Sequence, residues 1–213
     1  MDPLAVALAV VGGVWGIVAD RISTRWPAHE EPFVAGRPVG WRTVVCGAVG
    51  AVGLGLLPDR FPDSLALAVF TAFVVALVLL LATDLDQRLL PDLITLPMIP
   101  LVFLYALSGQ NPLVGGGIVP AMVAAVIIPT ALYLPSLLFG AGAFGLGDVK
   151  LLVSVGLVAG AYRALVGVAF GVLVAGIVIL GLLAARRVTL RSYVPFGPFL
   201  VLGALWSVLV RFG

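Results

Sequence analysis

Long apolar runs, all but one of them without charged residues, make up most of the chain and are separated by short polar connections. They fall at residues 4–19, 43–57, 64–83, 93–108, 117–139, 149–161, 164–184 and 195–210. Runs of roughly 15 to 20 residues approach the length that a helix needs to cross hydrocarbon, and none alternates as a transmembrane β-strand does. The pattern predicts an all-α, polytopic membrane protein with about eight transmembrane helices. The second and sixth runs are short and rich in glycine, so we expect those helices to be tilted or only partly spanning.

The composition agrees with a membrane protein. Hydrophobic residues make up 62% of the chain and charged residues 10%, with a mean hydropathy of +1.23, far from the usual soluble range. The stretches GAVGAVGLG (47–55) and GVAFGVLVAG (167–176) favour close packing between helices in lipid. Because no repeat or linker divides the chain, we expect a single integral membrane domain over residues 1–213.

The basic residues predict the topology. With eight spans, the odd-numbered connections share one membrane face, which should be cytoplasmic because it holds most of the basic residues. These are Arg21, Arg25, Arg37, Arg42, Arg88, Lys150, Arg186, Arg187 and Arg191. The connection 20–42 should then be a cytoplasmic loop. No basic residue precedes the first run, so we expect a retained helix rather than a cleaved signal peptide.

The same residues argue against several other classes of protein. The net charge of +2 is dispersed over short connections and forms no patch for nucleic acid. Cys46 is the only cysteine, which excludes an internal disulfide and a cysteine-rich zinc site. We expect Cys46 to be a small buried hydrophobic residue, and we assign no metal and no cofactor.

The candidate catalytic groups of this chain are carboxylates that the topology places on one membrane face. Asp84, Asp86 and Asp92 crowd together at the end of the third run, and residues 93–147 carry no charge. That stretch is long enough for two crossings, so Asp148 should return to the face and depth of Asp84. Two carboxylates close together near hydrocarbon tend to share one proton. The ionised carboxylate can then activate a water molecule while the protonated one polarises a peptide carbonyl.

The residues next to Asp148 suit a substrate that approaches as extended backbone. Gly145 and Gly147 have no side chains to obstruct it, and they permit the positive φ of a tight approach to the helix start. Asp148 should meet the positive end of that helix's dipole. Lys150, two positions further along a helix, does not share a face with Asp148.

Each acidic residue also has a purely structural interpretation. Asp148 before an apolar run can be an ordinary helix cap, and Asp92 is better explained as the N-cap of the fourth span. Asp86 is expected to face solvent or Arg88. Asp20, beside Arg21 at a helix end, is expected to pair or snorkel there.

Two motifs taken together resemble the type IV prepilin peptidase family, intramembrane aspartyl proteases with a G-x-G-D signature. TDLDQRLLPDLITLP (83–97) is similar to the first catalytic motif of that family and GLGDVKLL (145–152) to the second. The resemblance implies that Asp84 and Asp148 are the catalytic aspartates. It extends to GGVWGIVADRI (12–22), where Gly16 stands in place of a common Asn, and to VPFGPFLVLGAL (194–205).

The resemblance also carries functional expectations. It implies a prepilin leader peptidase, an aspartic endopeptidase of the inner membrane that cleaves type IV pilin-like or pseudopilin precursors at the cytoplasmic face. Its catalytic region would be 84–150, with Gly145, Gly147 and Lys150 contacting the substrate. Larger members carry two C-x-x-C pairs after the first helix and also N-methylate the product. The connection 20–42 has no cysteine, so the resemblance gives no basis for methyltransferase activity here.

Three alternatives stay open at this point. An ion- or proton-coupled transporter would place its charges well inside the spans, whereas these acidic residues fall at span ends. A non-enzymatic membrane subunit of a pilus or secretion assembly would use both aspartates as caps. A presenilin-like protease shares G-x-G-D but not the motif around Asp84. The oligomeric state and the identity of the precursor stay undetermined.

Overall fold

A computed structural model describes residues 2–27, 38–114, 117–137, 144–187, 189 and 195–211 of the chain. These residues form helices and no β-strand. The helices, in chain order, are α1 (Pro3–Ser23), α2 (Trp41–Gly55), α3 (Leu57–Arg60), α4 (Ser64–Gln87), α5 (Asp92–Leu107), α6 (Ile118–Ser136), α7 (Leu146–Ala184) and α8 (Gly197–Leu209).

The lengths and composition of these helices confirm the predicted polytopic membrane protein. Five segments are long and apolar enough to cross a membrane, namely α1, α2 with α3, α4, α6 and α7, while α5 and α8 are shorter apolar helices. Among the described residues, each predicted apolar run is helical over most of its length, and the sixth and seventh runs both lie in α7.

The contacts of the chain group into two compact units, Met1–Ile94 with Leu209–Gly213, and Thr95–Val208. The single domain over residues 1–213 stays a prediction. The connection 20–42 is described at residues 20–27 and 38–42, and its other residues lie outside the described ranges, as do 115–116 and 138–143 of the predicted catalytic region.

In the first unit, α1, α2 and α4 pack together through small residues. Gly12 lies against Gly50, and Gly16 lies against Cys46, so closely that a Cβ atom at either glycine would overlap the backbone of α2. Cys46 is fully buried, as expected. The indole Nε1 of Trp15 donates to the carbonyl oxygen of Val75 at 3.0 Å and joins α1 to α4. The predicted close packing of small residues is confirmed between α1 and α2.

In the second unit, α7 packs on α6 and α8 through glycines. Gly156 lies against Ala125 of α6, and Gly167 lies against Gly203 of α8. A straight helix of 39 residues would extend about 58 Å, nearly twice the thickness of the hydrocarbon core. Gly160 interrupts α7 with φ of 75° and ψ of 172°, which separates the two apolar runs that the sequence divides here.

The interruption at Gly160 has its own polar support. Breaking a helix releases carbonyl groups that need new donors. The side-chain amide of Asn111, which is buried, donates to the carbonyl oxygen of Val158 at 2.9 Å, and its oxygen accepts from the backbone N–H of Leu113 at the same distance. Asn111 therefore stabilises both the break and the connection that precedes α6.

Candidate active site

Asp84 lies in the last turn of α4 and is 5% exposed. The helix ends shortly after it because Arg88 adopts the left-handed conformation, with φ of 56°, and its N–H donates to the carbonyl oxygen of Asp84 at 2.9 Å. Pro91 follows and lacks an N–H group with which to continue a helix. The helix therefore ends within a few residues of the buried Asp84 carboxylate. This agrees with the prediction that Asp84 lies at the end of the third apolar run.

A polar network joins the end of α4 to α2. The guanidinium of Arg42 forms an ion pair with Asp86 at 2.6 Å and donates to the carbonyl oxygen of Leu85 at 3.1 Å. We predicted solvent or Arg88 as the environment of Asp86, and this expectation missed Arg42, which is distant in sequence. The carboxylate beside Asp84 in the motif is thus part of the contact that positions the end of α4.

The end of α1 belongs to the same polar region. Gln87 of α4 donates to the carbonyl oxygens of Ser23 at 2.6 Å and Pro27 at 3.2 Å. Asp20 is 2% exposed and accepts a 2.6 Å hydrogen bond from the hydroxyl of Thr43 on α2. The expectation that Asp20 snorkels from a helix end is wrong, because its carboxylate points between two packed helices. The sequence analysis did not predict the contact between Asp20 and Thr43, because no motif around Thr43 indicates a buried partner for a carboxylate.

Asp148 lies in the first turn of α7 and is 9% exposed. Its Oδ2 accepts a 2.9 Å hydrogen bond from the backbone N–H of Gly145, the residue that caps the helix. Asp148 therefore caps the helix from the third position inside it rather than as the N-cap residue, and its predicted position at the positive end of the helix dipole is confirmed. A carboxylate has about four acceptor positions, so a cap that uses one leaves the group able to engage water or a peptide.

Gly145 is exposed, with φ of −89°. The positive φ that Gly145 and Gly147 permit is not adopted by either residue, and Gly147 is already helical. A Cβ atom added at Gly145 would lie 3.6 Å from Oδ2 of Asp148, an ordinary contact. Neither backbone conformation nor packing within its unit requires glycine at position 145. Lys150 is half-buried in the next part of α7.

An aromatic contact anchors the start of α7. Phe144, which is buried, has its ring centroid 6.1 Å from that of Phe196, which immediately precedes α8. Phe196 belongs to the stretch VPFGPFLVLGAL (194–205), which is part of the resemblance described above. The contact between Phe144 and Phe196 holds the chain just before the start of α7. The aromatic residue directly before G-x-G-D was the sequence feature from which such a contact could have been predicted.

The structure places the predicted site residues in two units. Asp84 lies in the first unit, whereas Asp148, Gly145, Gly147 and Lys150 lie in the second. The pairing of the two carboxylates stays a prediction. Asp92 is exposed and is the first residue of α5, one position inside the helix rather than before it. Within the described residues, no three acidic, histidine or cysteine side chains come together as a metal site would require.

Comparison with known proteins assigns the family. Residues 68–181 match the profile of the type IV leader peptidase family. The chain belongs to this family. The matched segment includes Asp84 and Asp148, so both buried carboxylates of this type IV leader peptidase family member lie in the part of the chain on which the assignment rests.

Individual members of the type IV leader peptidase family extend the similarity. The chain is similar to the prepilin leader peptidase/N-methyltransferase of Burkholderia pseudomallei strain K96243, with 34% identity over 169 residues, covering 78% of this chain and 54% of the relative. The corresponding protein of Aeromonas hydrophila is 31% identical over 160 residues, 75% of this chain and 53% of that protein. The chain thus spans about half the length of these curated relatives. No solved structure matches.

Proposed function

We propose that the protein is a membrane-embedded aspartyl endopeptidase that removes leader peptides from type IV pilin-like or pseudopilin precursors. Family membership, with Asp84 and Asp148 both inside the matched segment, is the observation that carries this proposal. The relatives are named prepilin leader peptidase/N-methyltransferases, which supports a prepilin leader as the class of substrate. The same names include N-methyltransferase, which we do not extend to this chain because residues 20–42 contain no cysteine.

In the proposed mechanism the two carboxylates share the work of peptide hydrolysis. The ionised carboxylate accepts a proton from water as the water oxygen bonds to the scissile carbonyl carbon, and the protonated carboxylate hydrogen-bonds to the carbonyl oxygen. Breakdown of the tetrahedral intermediate transfers a proton to the leaving amine nitrogen and cleaves the C–N bond. No covalent enzyme intermediate forms, and we assign no metal or organic cofactor to the reaction.

The contacts around each carboxylate hold it in a fixed position, as the proposed mechanism requires. The backbone N–H of Gly145 and the start of α7 fix the orientation of Asp148. Arg42, Asp86 and Gln87 connect the end of α4, and so Asp84, to α2 and to the turn after α1. Both carboxylates lie at helix ends, where a peptide entering from the aqueous side can reach them, whereas a transporter would place its charges in mid-span.

The remaining site residues would receive the substrate. Gly145 and Gly147 leave space beside Asp148 for an extended backbone, and Lys150, two positions further along α7, would contact another part of the substrate. The distribution of basic residues favours a cytoplasmic position for this end of the protein. The site would therefore act on a precursor whose leader lies in the cytoplasm and whose hydrophobic helix lies in the inner membrane.

The test is cleavage of a co-reconstituted pilin-like precursor, followed by its intact mass. We expect wild type to remove a leader-sized mass and Asp84→Asn and Asp148→Asn to remove none while staying folded and inserted. Asp92→Asn is the matched control and should cleave normally, because Asp92 is exposed at the start of α5. Cleavage by either of the first two variants would contradict the aspartyl mechanism. Absence of cleavage by wild type across several precursor classes would favour a transporter or an assembly subunit.

A further inference from the structure

Asp20 is a buried carboxylate that the proposed hydrolysis does not use. It lies near the end of α1 and is 2% exposed, so a substrate peptide does not reach it. Taking a carboxylate out of water costs free energy that hydrogen bonds must offset. An apolar residue of similar volume would avoid this cost, so the reason for a carboxylate at this position has to lie in the contacts that it makes.

The side chain of Asp20 contacts the first turn of α2. The hydroxyl of Thr43 donates to Oδ2 of Asp20 at 2.6 Å and accepts from the backbone N–H of Gly40 at 3.3 Å. A hydroxyl has one proton to donate, and here Asp20 receives it. Gly40 is the N-cap residue of α2 and makes no side-chain cap bond. Asp20 therefore stabilises the start of α2 from a neighbouring helix, where a carboxylate also meets the positive end of the helix dipole.

The same turn of α2 holds the end of α4. Arg42 directly precedes Thr43 in that turn. The guanidinium of Arg42 donates to the carbonyl oxygen of Leu85 at 3.1 Å and pairs with Asp86 at 2.6 Å. Carbonyl groups in the last turn of a helix have no donor within the helix, so Arg42 supplies one that α4 cannot. Because Leu85 directly follows Asp84, the position of this turn of α2 limits where the Asp84 carboxylate can lie.

The end of α4 is in turn bound to α1. Gln87 donates to the carbonyl oxygen of Ser23 at 2.6 Å, and the hydroxyl of Ser23 donates to the carbonyl oxygen of Asp20 at 3.0 Å. The contacts from α1 to α2, from α2 to α4 and from α4 to α1 thus form a closed polar ring within the first unit. In a closed ring each contact limits the movement of the other two, and Asp84 lies in the helical turn that the ring holds.

We propose that Asp20 is a positioning residue of the peptidase site, which acts through Thr43 and Arg42 to hold the last turn of α4 and so the carboxylate of Asp84. The inference rests on the proposed function, in which Asp84 is catalytic. Asp20 itself contacts no substrate and transfers no proton in the reaction. Its loss should lower the rate of the chemical step, since a misplacement of about 1 Å can cost on the order of a hundredfold, and should leave precursor binding unchanged.

The test is single-turnover cleavage of the precursor by the full chain in detergent micelles, over a range of enzyme concentrations in excess of precursor. We expect Asp20→Leu and Thr43→Val each to lower the maximal rate about tenfold while the half-saturating enzyme concentration stays within about twofold of wild type. The double variant should be no slower than either single variant, because both remove the same bond. Asp20→Asn should lose less, because an amide oxygen still accepts from Thr43, though more weakly than a carboxylate.

Trp15→Phe is the matched control. It removes a different hydrogen bond of α1, the 3.0 Å bond from Nε1 of Trp15 to the carbonyl oxygen of Val75 on α4, and should lower stability without changing the maximal rate. An equal loss of rate in Trp15→Phe and Asp20→Leu would overturn the proposal, because it would show a general effect of destabilisation. A normal maximal rate in Asp20→Leu and Thr43→Val would also overturn it. If Asp20→Leu does not fold, Asp20→Asn and Thr43→Val carry the same comparison.

Hydrogen exchange of residues 84–88, measured without a precursor, separates this proposal from the proposed function. We expect exchange in that segment to be faster in Asp20→Leu and Thr43→Val than in wild type and Trp15→Phe, because the end of α4 loses its hold. Unchanged exchange would overturn the proposal, whether or not wild type cleaves the precursor. Faster exchange in a protein whose wild type cleaves no precursor would support the link from Asp20 to α4 and locate the failure in the proposed function.

Discussion

Arg42 and Asp86, from different helices, form a 2.6 Å ion pair two residues beyond the proposed catalytic Asp84. The same guanidinium nitrogen also donates to the carbonyl oxygen of Leu85 at 3.1 Å. One side chain of α2 therefore holds two consecutive residues of the last turn of α4. The proposed catalytic carboxylate owes its position to this contact as well as to its own helix.

Removing this contact should loosen the end of α4. We expect Arg42→Met to lower the free energy of unfolding by about 1–3 kcal/mol, because a hydrogen-bonded, partly buried charge loses its partner, and to lower peptidase activity. Arg42→Lys should recover part of the stability, since an ammonium group keeps the charge but not the planar fork. Denaturant titration in detergent micelles measures the change. If Arg42→Met and Asp86→Asn have additive effects in a double-mutant cycle, the pair is not coupled as described.

The buried carboxylate of Asp20 makes Thr43 a second stabilising contact between α1 and α2. We expect Thr43→Val to cost about 1.5–3 kcal/mol, because it removes the hydroxyl that donates to a charged group at 2.6 Å and that accepts from Gly40 N–H at 3.3 Å. Thr43→Ser keeps the hydroxyl and is the matched control. Thermal unfolding of the purified protein should separate the two variants, and a Thr43→Val variant as stable as Thr43→Ser would contradict the stabilising role of the hydrogen bond.

The break in α7 requires glycine at position 160. Its φ of 75° with ψ of 172° belongs to a region that is almost closed to other residues, and an added Cβ would lie 3.3 Å from the carbonyl oxygen of Leu113. We expect Gly160→Ala to destabilise the protein by about 1–3 kcal/mol.

Gly176, in the same helix, is the control for position 160. An added Cβ there meets no atom within 4 Å, and alanine favours helix over glycine by up to about 1 kcal/mol. Gly176→Ala should therefore be neutral or stabilising in the same unfolding measurement. Equal losses for the two variants would contradict the role assigned to the φ of Gly160.

The variant Gly145→Ala tests whether this glycine of the G-x-G-D motif is needed for substrate binding or for stability. An added methyl group meets only an ordinary 3.6 Å contact, so Gly145→Ala should change the free energy of unfolding by less than about 0.5 kcal/mol. If a substrate backbone passes beside Asp148, the same variant should raise KM for the precursor at least several-fold. A destabilised Gly145→Ala with normal kinetics would reverse this assignment and make the glycine structural.

The sequence alone predicted features that depend on local hydrophobicity and spacing. In the part of the chain that the structure describes, the apolar runs are mostly helix, because a backbone in hydrocarbon must satisfy its own hydrogen bonds within the segment. The placement of Asp84 at the end of one span and of Asp148 in the first turn of another follows from the same pattern. The motifs around these residues also pointed to the family that the comparison assigned.

Only the tertiary structure decided what the polar side chains contact. Asp86 pairs with Arg42, and Asp20 with Thr43, because the rotation and depth of the packed helices bring these residues together. Neither the rotation nor the depth of a helix can be predicted from the sequence of that helix alone. The conformation of Gly145 was likewise decided by the structure, because glycine permits a positive φ but here adopts φ of −89° and donates its N–H to Asp148. Residue type and spacing thus determined where helices begin and end, whereas packing between helices determined which side chains meet.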